Sequence, residues 1–319
     1  MPPEKDPYIE KVLRLINSSL AGPEEFLIND EFKEPQLPII FVIGVQRSGT
    51  TILTQSLATL YSLSYPSNLI ARFWRAPYLG AIISKSLELN NESIGFNSKF
   101  GATQGVKGPH EFSYFWRHWF PESATLAKAW DMPPSHEKQL KKHLAAWQSV
   151  NEEPLLFKNL LEVIPNIVNL SKMFPPAIFL NIVREDLYVV QSTYESRKKY
   201  NGDYSSWFGI RPRNYKQIME IEDPLIQCTE QVFYIKKDIS DALSTLPDER
   251  YLTLKYEDFV SDTESVIDLL NSKFNLHLWN NDEKRIEDLK LKSGNKIRLD
   301  TPDVQKVESH LKALSERHS

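Results

Sequence analysis

Apolar positions in this chain follow two spacings that alternate along its length. Ile39, Ile40, Phe41, Val42 and Ile43 form an unbroken run that Pro35 and Pro38 bracket at its entry and Gly44 ends. A short, β-branched-rich run of this kind is the pattern of a strand buried on both faces. From Gly49 the spacing becomes helical. The same change recurs at Leu155, Leu156 and Phe157, ahead of a helix whose first turn Pro165 can occupy without losing a needed hydrogen bond. It recurs at Ala177 to Val183, followed by a helical stretch from Leu187 to Arg197. The last case is Tyr251 to Lys255, then Tyr256, Glu257, Asp258 and Phe259, then a helix with Val266, Leu269 and Leu270 on one face. Strands alternating with helices predict an α/β fold with a central parallel β-sheet flanked by helices.

No internal repeat, low-complexity tract or Gly/Ser linker divides the 319 residues, so one domain over 1–319 is expected. Residues 1–35 read as an N-terminal helical extension, in which Tyr8 to Leu20 form a short amphipathic helix packed on the body, with partner binding as the alternative. Residues 61–153 read as a helical insert, and with 200–245 they carry most of the tryptophans.

Composition narrows the function classes. Hydrophobic residues at 41% and charged residues at 25% give an ordinary globular balance, which argues against disorder or a fibrous repeat. A net charge of -4 speaks against general nucleic-acid binding, which needs a basic face, so any polyanion must be gripped locally. The single cysteine, Cys228, cannot form an intramolecular disulfide, and a reducing, cytoplasmic setting is expected. The N-terminal stretch reads as neither signal peptide nor anchor, and no stretch has the length and apolarity of a membrane span. His136 and His143 are seven apart and His118 is isolated, so no metal is expected.

The sharpest local signal is Ile43-Gly44-Val45-Gln46-Arg47-Ser48-Gly49-Thr50-Thr51, between a buried strand and a helix. Successive backbone N–H groups in such a turn point into a concavity, and the helix adds its positive end, so a phosphate is held by main chain. Gly44 and Gly49 have the spacing of nucleoside-triphosphate loops, but Thr50 stands where the lysine belongs. That weakens the case for ATP or GTP hydrolysis, and Arg47 offers a cation from inside the loop instead.

At these residues the chain resembles the PAPS-dependent sulfotransferase superfamily, a P-loop-type fold, and looks closest to its bacterial and tyrosine-protein-type members. Arg47-Ser48-Gly49-Thr50-Thr51 is similar to the family's donor loop. Phe179 to Arg184, with Ser192 eight residues after the arginine, is similar to its second signature, a strand ending in arginine with a serine on the next helix. Leu156-Phe157-Lys158-Asn159 resembles its strand-end lysine, and Leu252 to Phe259 its late strand–helix junction with Tyr-Glu-Asp, read here as structural. The ordered matches span 39–275, while 61–153 match only loosely. The resemblance implies sulfuryl transfer from 3′-phosphoadenosine 5′-phosphosulfate (PAPS), leaving adenosine 3′,5′-bisphosphate, without a metal. Arg184 and Ser192 are then expected to hold the 3′-phosphate, where an arginine fork suits a phosphate. One departure is Glu185, Asp186 and Leu187, where many members have proline soon after the arginine; the acids are expected to cap the following helix and point away from the ligand.

An acceptor oxygen or nitrogen attacks in line while a phosphate oxygen leaves, so positioning and charge stabilisation dominate. Lys158 is the candidate cation for the leaving group, against the alternative of an exposed lysine at a helix start. Glu111, in Gly105-Val106-Lys107-Gly108-Pro109-His110-Glu111-Phe112, is the candidate base and His110 the reserve. The resemblance supports the glutamate, because bacterial and tyrosine-modifying members use one from this region, whereas small cytosolic members use a histidine near the strand-end lysine, where this chain has Asn159. A helix beginning at Pro109 would instead make Glu111 a mere dipole partner in the first turn. Trp74, Phe112, Phe115, Trp116, Trp119 and Trp207 either line an acceptor pocket or form core. The acceptor, a small molecule, carbohydrate, lipid or peptide, stays open, as does the oligomeric state. A P-loop nucleotide or small-molecule kinase and a catalytically silent nucleotide-binding protein are the alternatives.

Overall fold

A computed structural model of the chain describes residues 6–28, 31–87, 94–96, 98–99, 102–122, 127–281, 286–289 and 291–318. The first five residues of the expected N-terminal extension, and parts of the 61–153 segment, lie outside the described residues. The elements used below are α1 (Pro7–Leu27), β1 (Ile39–Ile43), α2 (Thr50–Leu60), α3 (Pro77–Ser86), α4 (Ser113–Trp119), α5 (Pro134–Asn151), β2 (Leu155–Lys158), α6 (Ile167–Met173), β3 (Ala177–Val183), α7 (Asp186–Asn201), α8 (Pro224–Leu243), β4 (Tyr251–Lys255), α9 (Tyr256–Ser261), α10 (Thr263–Phe274) and α11 (Thr301–His318).

The four expected strands form one parallel sheet in the order β2-β1-β3-β4. Ile39 sits opposite both Leu155 and Ala177, and Phe179 opposite Tyr251. Every residue of β1 and β2 is buried, as a central strand covered on both faces requires.

Alternation along the strands sends side chains into two cores. On one face Ile39, Phe41, Phe157 and Phe179 meet Phe115 and Trp116 of α4, Leu144 and Trp147 of α5, and Val232, Ile235 and Ile239 of α8. Phe41 is central there, its ring stacked on Phe179 at 5.3 Å and on Phe157 at 5.8 Å. On the other face Ile40, Val42, Leu156, Leu180 and Ile182 meet Leu53 and Leu57 of α2, Phe259 of α9, and Val266, Ile267 and Leu270 of α10.

One expectation changes. On α10 the buried stripe is Val266, Ile267, Leu270 and Phe274, while Leu269 faces solvent, because the sheet receives the side of the helix that carries Ile267. α1 forms and packs on the body, with Asp6 capping Tyr8 N–H at 2.8 Å and Pro7 in its first turn, and the side it turns inward carries Asn17 and Glu24 beside half-buried Leu13, Leu20 and Ala21. Asn17 donates to the Arg72 carbonyl and accepts from Arg75 N–H, both at 2.8 Å, and the Glu24 carboxylate accepts from the N–H groups of Tyr78 and Leu79. Backbone groups at the end of the 70–73 turn and at the start of α3 need partners, which Asn17 and Glu24 supply respectively.

Candidate functional site

The strands' C-terminal ends carry the chemistry-bearing residues into one crevice, the usual location in open α/β sheets. β1 runs into the Gly44–Thr51 loop, β2 ends at Lys158, and β3 ends immediately before Arg184.

The loop is as tight as its sequence demands. Gly44 and Gly49 have φ of 152° and 110°, and a Cβ on Gly44 would lie 2.5 Å from the Ile182 carbonyl, one on Gly49 2.6 Å from the Tyr256 ring. Arg47 also adopts a left-handed conformation, φ 73°, which is rare for a side chain of its size. That turn directs its guanidinium toward α7, where Nε donates to Ser192 Oγ at 3.0 Å. Arg184 reaches back to donate to the Arg47 carbonyl at 3.1 Å. Residues 145 apart in sequence are thereby joined, and the two guanidiniums lie within electrostatic reach of each other. Burial is the main influence holding the Arg47 guanidinium below its ordinary value, with Arg184 and Arg298 adding like-charge pressure. Both arginines remain charged, and their mutual repulsion favours an anion bound nearby. Ser48, buried within the same loop, has no hydrogen-bond partner for its Oγ.

Lys158 is 97% buried as a side chain and bridges two groups, donating to Thr51 Oγ1 and pairing with Glu111 Oε1, both at 3.0 Å. The alternative of an exposed lysine does not hold. Glu111 itself retains 39% side-chain exposure, so a reacting group can approach it. Its segment is zipped to the chain before it: His110 N–H donates to the Pro66 carbonyl at 2.7 Å and Asn68 N–H to the Gly108 carbonyl at 2.9 Å. α4 begins at Ser113, not Pro109, so Glu111 precedes the helix rather than occupying its first turn. His110 Nδ1 accepts from Phe112 N–H at 2.9 Å and so supports the left-handed turn at Phe112. With Nδ1 an acceptor, the neutral ring carries its proton on Nε2 and offers a donor there, not a base.

Behind this pair sits Asn159, 99% buried, whose amide donates to the Glu111 carbonyl at 3.2 Å and to Glu162 Oε2 at 2.7 Å. Glu162 is fully buried, and burial, followed by hydrogen bonding from Asn159 in the opposite sense, raises its carboxyl above the ordinary value.

Several residues of this region went unmarked in the sequence. Tyr200 lies within electrostatic reach of both Arg47 and Glu111. Asn295 accepts from Arg184 Nε at 2.7 Å and donates to Glu257 Oε1 at 2.9 Å, and Tyr256 Oη accepts from Gly294 N–H while its ring lies 4.6 Å from the Arg184 guanidinium. Gln191 fixes the same segment through the Lys296 carbonyl and Arg298 N–H. The Tyr-Glu-Asp junction is therefore structural in a particular way, as the mount of Arg184. The basic cluster Lys292-Ser293-Gly294-Asn295-Lys296-Ile297-Arg298 was the available signal. Of the two acids after Arg184, Asp186 pairs with Lys236 at 2.7 Å, and Glu185 stands at the N-cap position without a side-chain cap. Phe112, Phe115, Trp116 and Trp119 are core, Trp74 packs on Tyr114 at 4.7 Å, and Trp207 lies 5.0 Å from the Arg197 guanidinium.

Among the described residues no group of three or more His, Cys, Asp or Glu side chains is arranged to hold a metal, and no helix is long and apolar enough to cross a membrane. A family model described as the sulfotransferase family matches residues 38–281. No curated protein matches the chain by sequence. Among solved structures, sulfotransferase STF1 of Mycobacterium tuberculosis H37Rv is similar with a TM-score of 0.55 at 16% identity, over 95% of this chain and 82% of its own. Sulfotransferase STF9 of Mycobacterium avium is similar with a TM-score of 0.52 at 13% identity, over 98% of this chain and 79% of its own. At such identities the likeness is one of fold.

Proposed function

The chain belongs to the sulfotransferase family, and from that premise we propose that it moves a sulfuryl group from PAPS to a hydroxyl or amine of a small-molecule, carbohydrate, lipid or peptide acceptor. The observation that carries this reading is the contact chain Glu111–Lys158–Thr51, which links an accessible carboxylate to the glycine loop through one buried cation.

The residues fit such a donor. Main-chain N–H groups of the Gly44–Thr51 loop, with the unpartnered Ser48 hydroxyl and the start of α2, suit its 5′-phosphosulfate end. Arg47, Arg184 and Ser192 suit its 3′-phosphate, and Thr50 and Thr51 complete the loop. When bound, the donor supplies an activated sulfur whose bond to a phosphate oxygen breaks as the acceptor attacks. Lys158 stabilises the charge that grows on that oxygen. Glu111 takes the acceptor proton, and its contact with Lys158 keeps it aimed at the loop. Asn159, bonded to the Glu111 carbonyl, holds that segment in place. His110 shapes the turn that presents Glu111.

The test combines radiolabelled-sulfate transfer from PAPS into a cell extract with calorimetry of adenosine 3′,5′-bisphosphate. Label transfer without added divalent metal is expected, with Arg47→Ala and Arg184→Ala each weakening nucleotide binding on the order of 10- to 100-fold, the range for a lost hydrogen bond to a charged group. Unchanged affinity in both variants overturns the assignment. So does magnesium-dependent phosphoryl transfer, or binding without turnover on any acceptor.

A further inference from the structure

The face of α1 that meets the body buries two polar side chains, Asn17 and Glu24, beside half-buried Leu13, Leu20 and Ala21, and leaves the largest apolar side chains outside. Asn17 and Glu24 are 1% and 0% exposed, while Tyr8, Leu15 and Phe26 are 74%, 60% and 85% exposed. A helix that merely packs on its own domain puts its apolar stripe inward and its polar side outward. At roughly 100° per residue, Tyr8, Leu15, Ser19, Gly22 and Phe26 share the side opposite Asn17 and Glu24. Exposed Ile9, Ile16 and Leu27 extend that face along one flank. The other flank carries Lys11, Arg14 and Glu25, all exposed. The result is a contiguous apolar patch along 21 residues of helix, the kind of surface that marks an interaction site.

We propose that α1 is a dimerisation helix that pairs, antiparallel, with the α1 of a second copy of this chain. The face is complementary to itself in one register, about a twofold axis at the level of residue 17. Tyr8 then meets the partner's Phe26, Val12 meets the partner's Gly22, and Leu15 meets the partner's Ser19. Large side chains oppose small ones at each crossing, which is what close helix packing requires. On the apolar flank the partner's Leu27 lies two residues, about 3 Å along the axis, from the level of Ile9, within side-chain reach. On the polar flank the partner's Glu25 lies the same small distance from the level of Lys11, an attraction that occurs twice under the symmetry. A parallel pairing would set Phe26 against Phe26, Leu15 against Leu15 and Lys11 against Lys11, losing both complementarities. A lipid surface is the less suited occupant: helices that lie on membranes carry a polar face rich in Lys and Arg, whereas the exposed polar flank here holds only Lys11 and Arg14, with Glu25 among them.

Sedimentation velocity across a wide range of concentration, with the full chain, tests this. The wild type is expected to dimerise reversibly, and Leu15→Asp to weaken the dimer on the order of tenfold or more. Lys11→Glu and Glu25→Lys are each expected to weaken it, and the double exchange to restore it. These positions are solvent-facing in the single copy, so melting temperature and sulfotransfer by the variants should match the wild type. The charge exchange decides the matter even if Leu15→Asp does not fold. A protein that is monomeric throughout overturns the proposal, as does a dimer indifferent to all these substitutions. Flotation with phosphatidylcholine and phosphatidylserine vesicles, lost in Leu15→Asp while the protein stays monomeric in solution, overturns it in favour of a membrane.

Discussion

His110 and Glu111 are chain neighbours, yet the fold commits their atoms differently. Nδ1 of His110 receives the Phe112 N–H, while Oε1 of Glu111 meets Lys158 at 3.0 Å with the carboxylate still accessible. A positioned base contributes roughly 10² to 10⁴ in rate, so Glu111→Gln should lower turnover by about that factor with adenosine 3′,5′-bisphosphate affinity retained. His110→Asn should cost less, and the reverse order, measured by steady-state kinetics, transfers the base role to His110. Glu162 makes a separate prediction at this scale. Burial raises its carboxyl above the ordinary 4.5, so the folded state holds a proton that the unfolded chain releases. Its contribution to stability is therefore complete below 4.5 and fades as pH rises through the folded-state value. Urea unfolding should show wild type gaining on Glu162→Gln as pH falls from neutral toward 4.5, and a difference that is flat in pH removes this account.

At the scale of elements, the strand–helix junctions were legible because they need particular residues. Gly44 and Gly49, between β1 and α2, leave no room for a Cβ, and Pro165 stands in the short turn that leads from β2 into α6. The segment from Ser293 to Arg298 has no such signature and lies beyond the span matching the family, yet it braces Arg184. Asn295→Ala should weaken adenosine 3′,5′-bisphosphate binding roughly tenfold by calorimetry, the scale of one hydrogen bond to a charged donor, with little change in melting temperature. Affinity equal to wild type would show that Arg184 holds its place without this brace. Helix faces were less legible than helix positions: periodicity says that α1 has an apolar side but not which side the body receives.

Across the whole molecule, the sequence by itself determined the four strands of the central sheet, to within a residue, and their parallel arrangement, because short apolar runs alternating with helices have few stable placements other than a doubly covered sheet; the two-residue antiparallel pair Ser98–Lys99 and Ala102–Thr103 went unmarked. It also marked the glycine loop from its own residues, and Lys158 and Arg184 through their resemblance to the family's strand-end motifs. Only the tertiary structure decided which of them touch. Arg47 meets Ser192 and Lys158 meets Thr51 across 145 and 107 residues of chain, and local periodicity holds no information about contacts made through space. The same packing placed Phe112, Phe115 and Trp116 in the core and gathered His118, His136 and His143 around Trp119, at ring distances of 4.8, 6.4 and 5.6 Å. It turned the largest apolar side chains of α1 outward as well, because the backbone N–H groups opening α3 needed the Glu24 carboxylate more than the core needed another leucine.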